Sequence, residues 1–265
     1  MRLVVFCEAQ ADFQIAADLI DRVLREAGEP WVADVMDAAP DEIRSWHGDG
    51  EGHELFDLHR LDHHVDRLRV RVPHGHFGGQ RGAAGALMAR TAFSIVRALV
   101  KRGATIDAVV VVWDMGDQPA IRRAGLMQAR TEAQGWAGFR IVLGCPNAMR
   151  EAWVLCGFDP DGPHEGTRLH VLREELGFHP NVDAHRLDAK DEQAKRSAKR
   201  VLRQLTDDDR AREQRCWRDT PLEALRARGE ATGLRDYLLE VEQHLLPLVV
   251  SGASGSPDDP RGINR

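Results

Sequence analysis

Short apolar runs alternate with helix-type periodicity over the first part of the chain. Strands are predicted at residues 2–7, 31–36, 68–72, 107–113 and 139–143. Helices are predicted between them at residues 11–27, 83–101 and 119–134. The run at 107–113 is continuously apolar, which is typical of a strand covered on both faces. The alternation predicts an α/β fold with a mainly parallel sheet flanked by helices.

The pattern changes twice along the chain. Residues 37–66 are polar and rich in loop-forming residues, which indicates an irregular insertion in an α/β domain spanning residues 1–160. Residues 161–250 form a helical, Arg-rich extension, and residues 251–265 are predicted to be a disordered tail. Candidate helices in and before this extension are 147–156, 167–176, 188–205, 207–218 and 220–246.

Composition excludes several classes of protein. The chain of 265 residues has no apolar window long enough to span a membrane, and its apolar N-terminal run is too short for a signal peptide. The cysteines are scattered and form no CxxC pair, so we expect reduced thiols and a cytoplasmic protein. The cysteines are Cys7, Cys145, Cys156 and Cys216. The net charge of −6 argues against a general nucleic-acid coat protein.

Acidic side chains follow the ends of the predicted strands. Glu8 and Asp114 end two strands that should be neighbours, and Asp12, Asp117 and Glu151 follow close to strand ends. Ligands of open parallel sheets bind at this edge, so the carboxylates are expected to converge and to raise one another's pKa. Mg²⁺ or Mn²⁺ would relieve the repulsion, and a pair of ions can clamp a phosphodiester. Glu8 is then either a ligand or the general base.

The same residues have a structural interpretation. Asp12 and Asp114 are well placed to cap helix N-termini, and Glu151 in a first turn would complement a helix dipole. Both interpretations remain open from the sequence.

The acidic segments resemble those of Toprim domains. The first is Cys7-Glu8-Ala-Gln-Ala-Asp12, and the second is Val110-Val-Val-Trp-Asp114-Met-Gly-Asp117. Residues 146–158, with Glu151 before a Trp, are similar to a stretch of RloB-like and overcoming-lysogenization-defect-type Toprim proteins, and the helical C-terminal part resembles their tails. The resemblance implies a Toprim-like fold, metal binding by Glu8 and Asp114 with help from Glu151, and a role in bacterial defence. The chain departs from the Toprim pattern at two points. Ala9 stands where the Gly after the first-strand Glu is usual, and the second motif is spaced Asp-x-x-Asp and not Asp-x-Asp.

Three lysines cluster in the predicted helix at 188–205. Lys195 and Lys199 are four residues apart and would share a face, and Lys190 lies nearby. The helix is interpreted either as a phosphate-facing surface or as a solvated, salt-bridged one. Lys199 is the preferred candidate for stabilising charge on a reacting phosphate.

Two further segments were considered for binding. The Gly-rich residues 74–82 could contact substrate phosphates or form an ordinary loop. His59, His63 and His64 have spacings seen in metal sites, with His59 and His63 on one helical face, but surface histidines are the favoured interpretation.

The leading hypothesis is a Mg²⁺- or Mn²⁺-dependent nuclease that hydrolyses nucleic-acid phosphodiesters, with DNA favoured over RNA. In the implied defence setting, an ATPase encoded elsewhere is a candidate partner, and a homo-oligomer is a further candidate. The chain itself has no Walker motif and is not expected to hydrolyse ATP by that route. One alternative is a non-catalytic Toprim-like subunit that binds that ATPase or another protein. Another is a phosphoryl-transfer enzyme that is phosphorylated on Asp114.

Overall fold

The computed structural model describes residues 1–50, 53–71 and 82–253, and its side chains to residue 250. All of the predicted Gly-rich segment except Gly82, and the tail from residue 254, lie outside the described residues.

The described chain is an α/β structure built on a five-stranded sheet in which every strand pair is parallel. The strands are β1 (Arg2–Cys7), β2 (Ser45–Trp46), β3 (Phe56–Asp57), β4 (Ala108–Val112) and β5 (Arg140–Gly144). One edge of β1 pairs with β2 near its start and with β3 near its end, and the other edge pairs with β4, which is followed by β5. The three longer strands are those that the apolar runs predicted.

Helices cover both faces of this sheet. They are α1 (Gln10–Ala27), α2 (Pro30–Ala38), α3 (Pro40–Ile43), α4 (Leu61–Leu68), α5 (Ala86–Lys101), α6 (Pro119–Ala133), α7 (Arg150–Cys156), α8 (Pro163–Leu176), α9 (Ala198–Thr206), α10 (Arg210–Arg218), α11 (Leu222–Arg228), α12 (Leu234–His244) and α13 (Leu246–Ala253). Short 3₁₀ turns occur at Leu58–Arg60 and Ala184–Arg186.

Alternate residues of each strand enter different hydrophobic cores because side chains of a strand point to opposite faces. Val109 and Val111 pack with α5 and α6, whereas Val110 packs with α1, α7 and the C-terminal helices. Tyr237 of α12 stacks on Trp153 of α7 at 5.0 Å between ring centroids. Its buried hydroxyl donates a hydrogen bond to the carbonyl oxygen of Ala16 at 3.0 Å. The helices after residue 160 therefore share the core on one face of the sheet.

Two predicted strands are wrong. Residues 31–36 lie in α2, where Pro30 starts the helix and Val32 and Met36 are buried four residues apart, a helical spacing. The described part of 68–72 is not a strand either, because Leu68 ends α4 and Arg69 takes a left-handed conformation with φ of 50°.

Three other predictions need correction. Residues 37–66 are not irregular, since they supply α3, two edge strands and most of α4. The helix predicted at 188–205 begins only at Ala198, where the Ser197 hydroxyl accepts a hydrogen bond from the main-chain N–H of Arg200. The helix predicted at 220–246 is two helices, separated by a turn that ends at Gly233 with φ of 80°.

Gly125 lets α6 approach the chain that leads into α5. A Cβ at Gly125 would lie 2.1 Å from the carbonyl oxygen of Ala84 and 2.7 Å from the nitrogen of Ala86.

We expect Gly125→Ala to destabilise the protein by about 2 kcal/mol, despite the higher helix propensity of alanine. Gly166→Ala in α8 is the matched control, since nothing lies within 4 Å of its added Cβ. We expect that control to be neutral or to stabilise by up to about 1 kcal/mol in urea unfolding. Equal effects of the two substitutions would contradict the close approach.

Candidate active site

The ends of β1 and β4 bring two acidic residues to the same edge of the sheet. Phe6 of β1 pairs with Val111 of β4, and the two strands run in parallel. Glu8 and Asp114 therefore follow the strands on one edge, as predicted. The loops after β4 and β5 are tied together there, because the N–H of Met115 donates to the carbonyl oxygen of Pro146 at 3.0 Å.

Four predicted site residues converge at this edge. The charges of Asp12, Glu151 and Glu8 all act on the carboxyl group of Asp114, and those of Glu151 and Glu8 also act on Asp12. These side chains come from four separate parts of the chain: the end of β1, α1, the end of β4 and α7. The carboxylates that follow the strand ends thus interact electrostatically in the structure.

Two of these carboxylates also hold helix N-termini. Asp12 accepts a hydrogen bond from the N–H of Ala9 at 2.9 Å and so caps α1. Asp114 accepts one from the N–H of Arg150 at 2.9 Å, at the first residue of α7. Capping and convergence are therefore compatible, and capping fixes where the carboxyl groups point.

The electrostatics of the site favour protonation of Asp114 and Asp12. Burial, followed by the negative charges of Asp12, Glu151 and Glu8, raises the pKa of Asp114 to about 8. Burial also raises the pKa of Asp12, and the positive charge of Arg150 opposes that shift. The ionised form of Asp114 would therefore be stabilised by a nearby positive charge, which is the condition under which a carboxylate attracts a cation.

Arg150 lies inside the cluster, and the sequence did not single it out. Its Nη2 is 2.9 Å from Oε1 of Glu151, and its Nε is 3.5 Å from Oδ1 of Asp12. The side chain is only 12% exposed. The guanidinium thus pairs with two of the carboxylates while the main chain of the same residue pairs with Asp114.

The donor chemistry suits a hard divalent cation, since carboxylate oxygens are the ligands that Mg²⁺ and Mn²⁺ prefer. Within the described ranges, however, no group of three or more His, Cys, Asp or Glu side chains is close enough together to hold a metal ion. The guanidinium of Arg150 lies among the carboxylates instead.

Asp117 lies apart from the cluster. Gly116 turns the chain with φ of 57°, and the exposed Asp117 carboxylate pairs with Nζ of Lys190 at 2.9 Å. The hydrogen bond from Lys190 lowers the pKa of Asp117. The extra residue in the Asp-x-x-Asp spacing thus carries the second carboxylate away from Asp114.

Lys199 lies at the rim of the cluster, in the first turn of α9. Its Nζ is 2.9 Å from Oε1 of Glu192. That hydrogen bond raises the pKa of Lys199, and the charges of Glu151 and Asp114 add to the effect. Lys195 precedes the helix, so the predicted shared helical face of Lys195 and Lys199 does not form.

The expectation that His59, His63 and His64 are surface residues, with His59 and His63 on one helical face, is partly wrong. His59 lies in a 3₁₀ turn and His63 in α4, so they do not share one helix. His64 is buried rather than on the surface, with its Nδ1 3.3 Å from Oδ1 of Asp49. His59 is exposed, and its Nε2 lies 3.7 Å from Oε1 of Glu8, which places it beside the cluster.

Glu213 of α10 is a further acidic residue that the sequence analysis missed. Burial raises its pKa, the charge of Arg150 lowers it, and the charge of Glu151 raises it again. It lines a cavity of about 470 Å³ that also reaches Arg150. Nothing in the local sequence signals this position, because α10 is brought to the site by tertiary packing alone.

A second opening of about 510 Å³ lies on the other side of the strand ends. It is mainly apolar. Its lining includes His59, which lies beside Glu8 in space, and Trp113, which precedes Asp114 in the sequence. The guanidinium of Arg122 lies over the Trp113 ring, 4.7 Å from its centroid. The two cavities therefore adjoin residues that contact or neighbour the carboxylate cluster, Arg150 in one and His59 and Trp113 in the other.

The cysteines do not contribute reactive groups to this site. All of them are free and buried, as expected from their spacing. Burial raises the pKa of Cys156 and of Cys216 to about 11, so both remain thiols near neutral pH. Among the helices that the structure describes, none is both long and apolar enough to cross a bilayer.

Comparison of the chain with protein-family models, with curated proteins and with solved structures finds no match.

Proposed function

We propose that the protein is a divalent-metal-dependent nuclease that hydrolyses nucleic-acid phosphodiesters. The observation that carries the proposal is the convergence of Asp114 with Asp12, Glu151 and Glu8 at the carboxyl edge of a parallel sheet, where burial and their charges raise the pKa of Asp114 to about 8. Such a cluster costs stability unless a cation occupies it, and costly polar clusters are typical of functional sites.

In this proposal Asp114 and a second carboxylate of the cluster, Asp12 or Glu151, would hold Mg²⁺ or Mn²⁺, with water completing the coordination. A bound divalent ion supplies Lewis-acid stabilisation of the phosphate and lowers the pKa of an attached water. Of the three carboxylates that act on Asp114, Glu8 has the most exposed side chain. It is 28% exposed, against 14% for Asp12 and 11% for Glu151. Glu8 is therefore the best placed to accept a proton from water, with His59 beside it. Lys199 would stabilise negative charge on the reacting phosphate.

The proposal extends to the setting of the protein. The parallel sheet, with acidic residues after its adjacent strands β1 and β4, supports a Toprim-like architecture. We propose DNA before RNA as substrate, a cytoplasmic location, a role in bacterial defence, a partner ATPase encoded separately, and self-association into homo-oligomers. These parts rest on the resemblance of the acidic motifs.

A non-catalytic subunit is the second candidate, and Arg150 is the observation that favours it. Its guanidinium already balances part of the negative charge of Asp12 and Glu151 without a metal. A subunit of this kind would bind a partner protein and would not change its melting temperature with Mn²⁺.

Cleavage of plasmid and single-stranded DNA and RNA in Mg²⁺, Mn²⁺ and chelator tests the proposal. We expect metal-dependent cleavage by the wild-type protein and a loss of about 100-fold in Glu8→Ala, with an unchanged circular dichroism spectrum. Asp117→Ala is the matched control, since Asp117 pairs with Lys190 outside the cluster. We expect it to retain cleavage within about threefold. If the wild-type protein shows no cleavage and no Mn²⁺-induced thermal shift, the nuclease is excluded and the non-catalytic subunit is favoured.

A further inference from the structure

We propose that a cavity between α5 and α6 is a binding site for a nucleotide, that is, for an aromatic base joined through a sugar to a phosphate group. The cavity has a volume of about 320 Å³, and none of its described lining residues belongs to the carboxylate cluster. The proposal does not rest on the nuclease function, so either one can fail without the other.

The lining of the cavity is assembled by helical spacing. Four residues of α5 at positions i, i+3, i+4 and i+7 share one face of the helix, and all of them line the cavity. They are Arg90, Phe93, Ser94 and Arg97. Ala129 and Glu132 line it from α6, Trp136 follows the end of that helix, and Arg71 follows α4. Phe93 and Ala129 are buried and form an apolar floor.

The cavity is positive, although the chain as a whole carries a net charge of −6. Its one described carboxylate, Glu132, is already neutralised, because Arg90 donates to Oε2 at 2.6 Å and to Oε1 at 2.7 Å. The hydrogen bond from Arg90 lowers the pKa of Glu132, which therefore stays ionised and paired near neutral pH. The charges of Arg71 and Arg97 are in excess of this balanced pair.

Arg97 is held in a position from which it can bind an anion. Its guanidinium lies over the Trp136 ring, 4.9 Å from the ring centroid. Contact with a ring face orients a guanidinium without using its N–H donors, which lie in its own plane. In the part of the chain that the structure describes, neither Arg97 nor Arg71 forms an ion pair with a carboxylate. Both guanidiniums are therefore available to phosphate oxygens, which arginine binds with two parallel hydrogen bonds.

The rest of the lining suits the base of the nucleotide. Trp136 is half-buried, so part of its ring system remains accessible beside the apolar floor. Nucleobases bind to aromatic side chains largely by stacking, because every base has a flat π-face. The Ser94 hydroxyl can donate or accept a hydrogen bond at the wall. A volume of about 320 Å³ exceeds the needs of a phosphate ion alone and falls in the range of small-molecule sites.

Titration calorimetry of the full chain with the 5′-monophosphates of adenosine, guanosine, cytidine and uridine tests the site, in chelator and about 0.15 M salt. We expect saturable one-to-one binding of at least one of them, with a Kd of about 10–100 µM. The matching nucleoside and inorganic phosphate each offer half of the recognised chemistry and are expected to bind at least about tenfold more weakly. A lack of saturable binding by all four monophosphates would overturn the proposal.

Arg97→Gln and Arg71→Gln locate the binding. Both side chains are exposed, so we expect both variants to keep the wild-type melting temperature and to bind the nucleotide about tenfold more weakly. Lys101→Gln is the matched control, since Lys101 is exposed one turn beyond Arg97 on α5 and is outside the described lining. We expect it to bind within about twofold of the wild type. Equal losses in all three variants, or no loss in either arginine variant, would overturn the site.

A 5′-phosphorylated tetranucleotide distinguishes the two sources of such a ligand, a free nucleotide and the end of a nucleic-acid strand. Tighter binding of the tetranucleotide than of its monophosphate, with the same loss in Arg97→Gln, would support the site and assign the ligand to a strand end. Tighter binding of the monophosphate, with that loss, would support a site for the free nucleotide. Binding of both ligands that Arg97→Gln leaves unchanged would overturn the site.

Discussion

Replacing Asp114 by Asn is expected to abolish metal-dependent cleavage and, at the same time, to stabilise the metal-free protein at alkaline pH. Cleavage should fall by about 1,000-fold, because the variant loses a carboxylate of the proposed metal site. The asparagine oxygen can still accept the hydrogen bond that Asp114 receives from the N–H of Arg150. The start of α7 is therefore retained.

The stabilisation follows from the direction of the pKa shift. The carboxyl of Asp114 has a pKa near 3.8 when unfolded and about 8 in the folded protein. Between these values the folded state binds the proton more tightly, so the wild-type protein loses stability as pH rises through this window. An asparagine does not titrate and does not undergo that loss.

Thermal unfolding of both proteins in chelator between pH 4 and pH 9 measures this effect. A shift of this size corresponds to about 6 kcal/mol at most, and relaxation around Arg150 reduces the expected difference to about 2 kcal/mol. We expect the melting temperatures to be close near pH 4 and the variant to melt about 4–8 °C higher at pH 9. A variant that is less stable than the wild-type protein across the whole range would contradict the description of the cluster.

Replacing Arg212 by Ala is expected to have the largest effect on stability, about 3–5 kcal/mol. Arg212 of α10 is buried and donates hydrogen bonds at 2.8 Å to each carboxylate oxygen of Glu165 in α8. It also donates to the carbonyl oxygen of Asp159 at 2.6 Å and lies over the ring of Phe158. Its removal leaves the buried carboxylate of Glu165 without its guanidinium partner and removes this contact between two helices.

Urea unfolding of Arg212→Ala, compared with that of Arg215→Ala, distinguishes the contribution of a buried ion pair from that of an exposed one. Arg215 is on the same helix, but its pair with Asp161 is exposed on both sides. We expect that control to cost less than about 1 kcal/mol. Equal costs would show that Arg212 contributes no more than a surface ion pair.

The pH dependence gives a second measurement on the same pair. The hydrogen bonds from Arg212 lower the pKa of Glu165 below its usual 4.5. The wild-type stabilisation is thus present above pH 4.5 and is lost as pH falls through the lower folded value. The Arg212→Ala variant should lack this loss on the acid side.

The sequence predicted best where one local pattern is enough to determine an element. The apolar runs of β1, β4 and β5 and the long periodic helices α1, α5 and α6 lie where the pattern indicated, within a few residues. Residues 31–36 failed because a short run of six residues fits a strand or a helix equally well. There Pro30 and the burial of Val32 with Met36 favour the helix.

The sequence by itself also determined that Glu8 and Asp114 reach one edge of the sheet. The ends of adjacent parallel strands lie together whatever the side chains do, so residue position alone was sufficient. The tertiary structure alone decided the contents of the site: Arg150 among the carboxylates, Glu213 beside them and Asp117 turned toward Lys190. The physical reason is that each of these depends on how a helix or loop packs and on which side-chain atoms come within a few ångströms of each other. Strand-end position follows from backbone pairing, whereas the identity of a counter-ion follows from packing between segments that are distant in the chain.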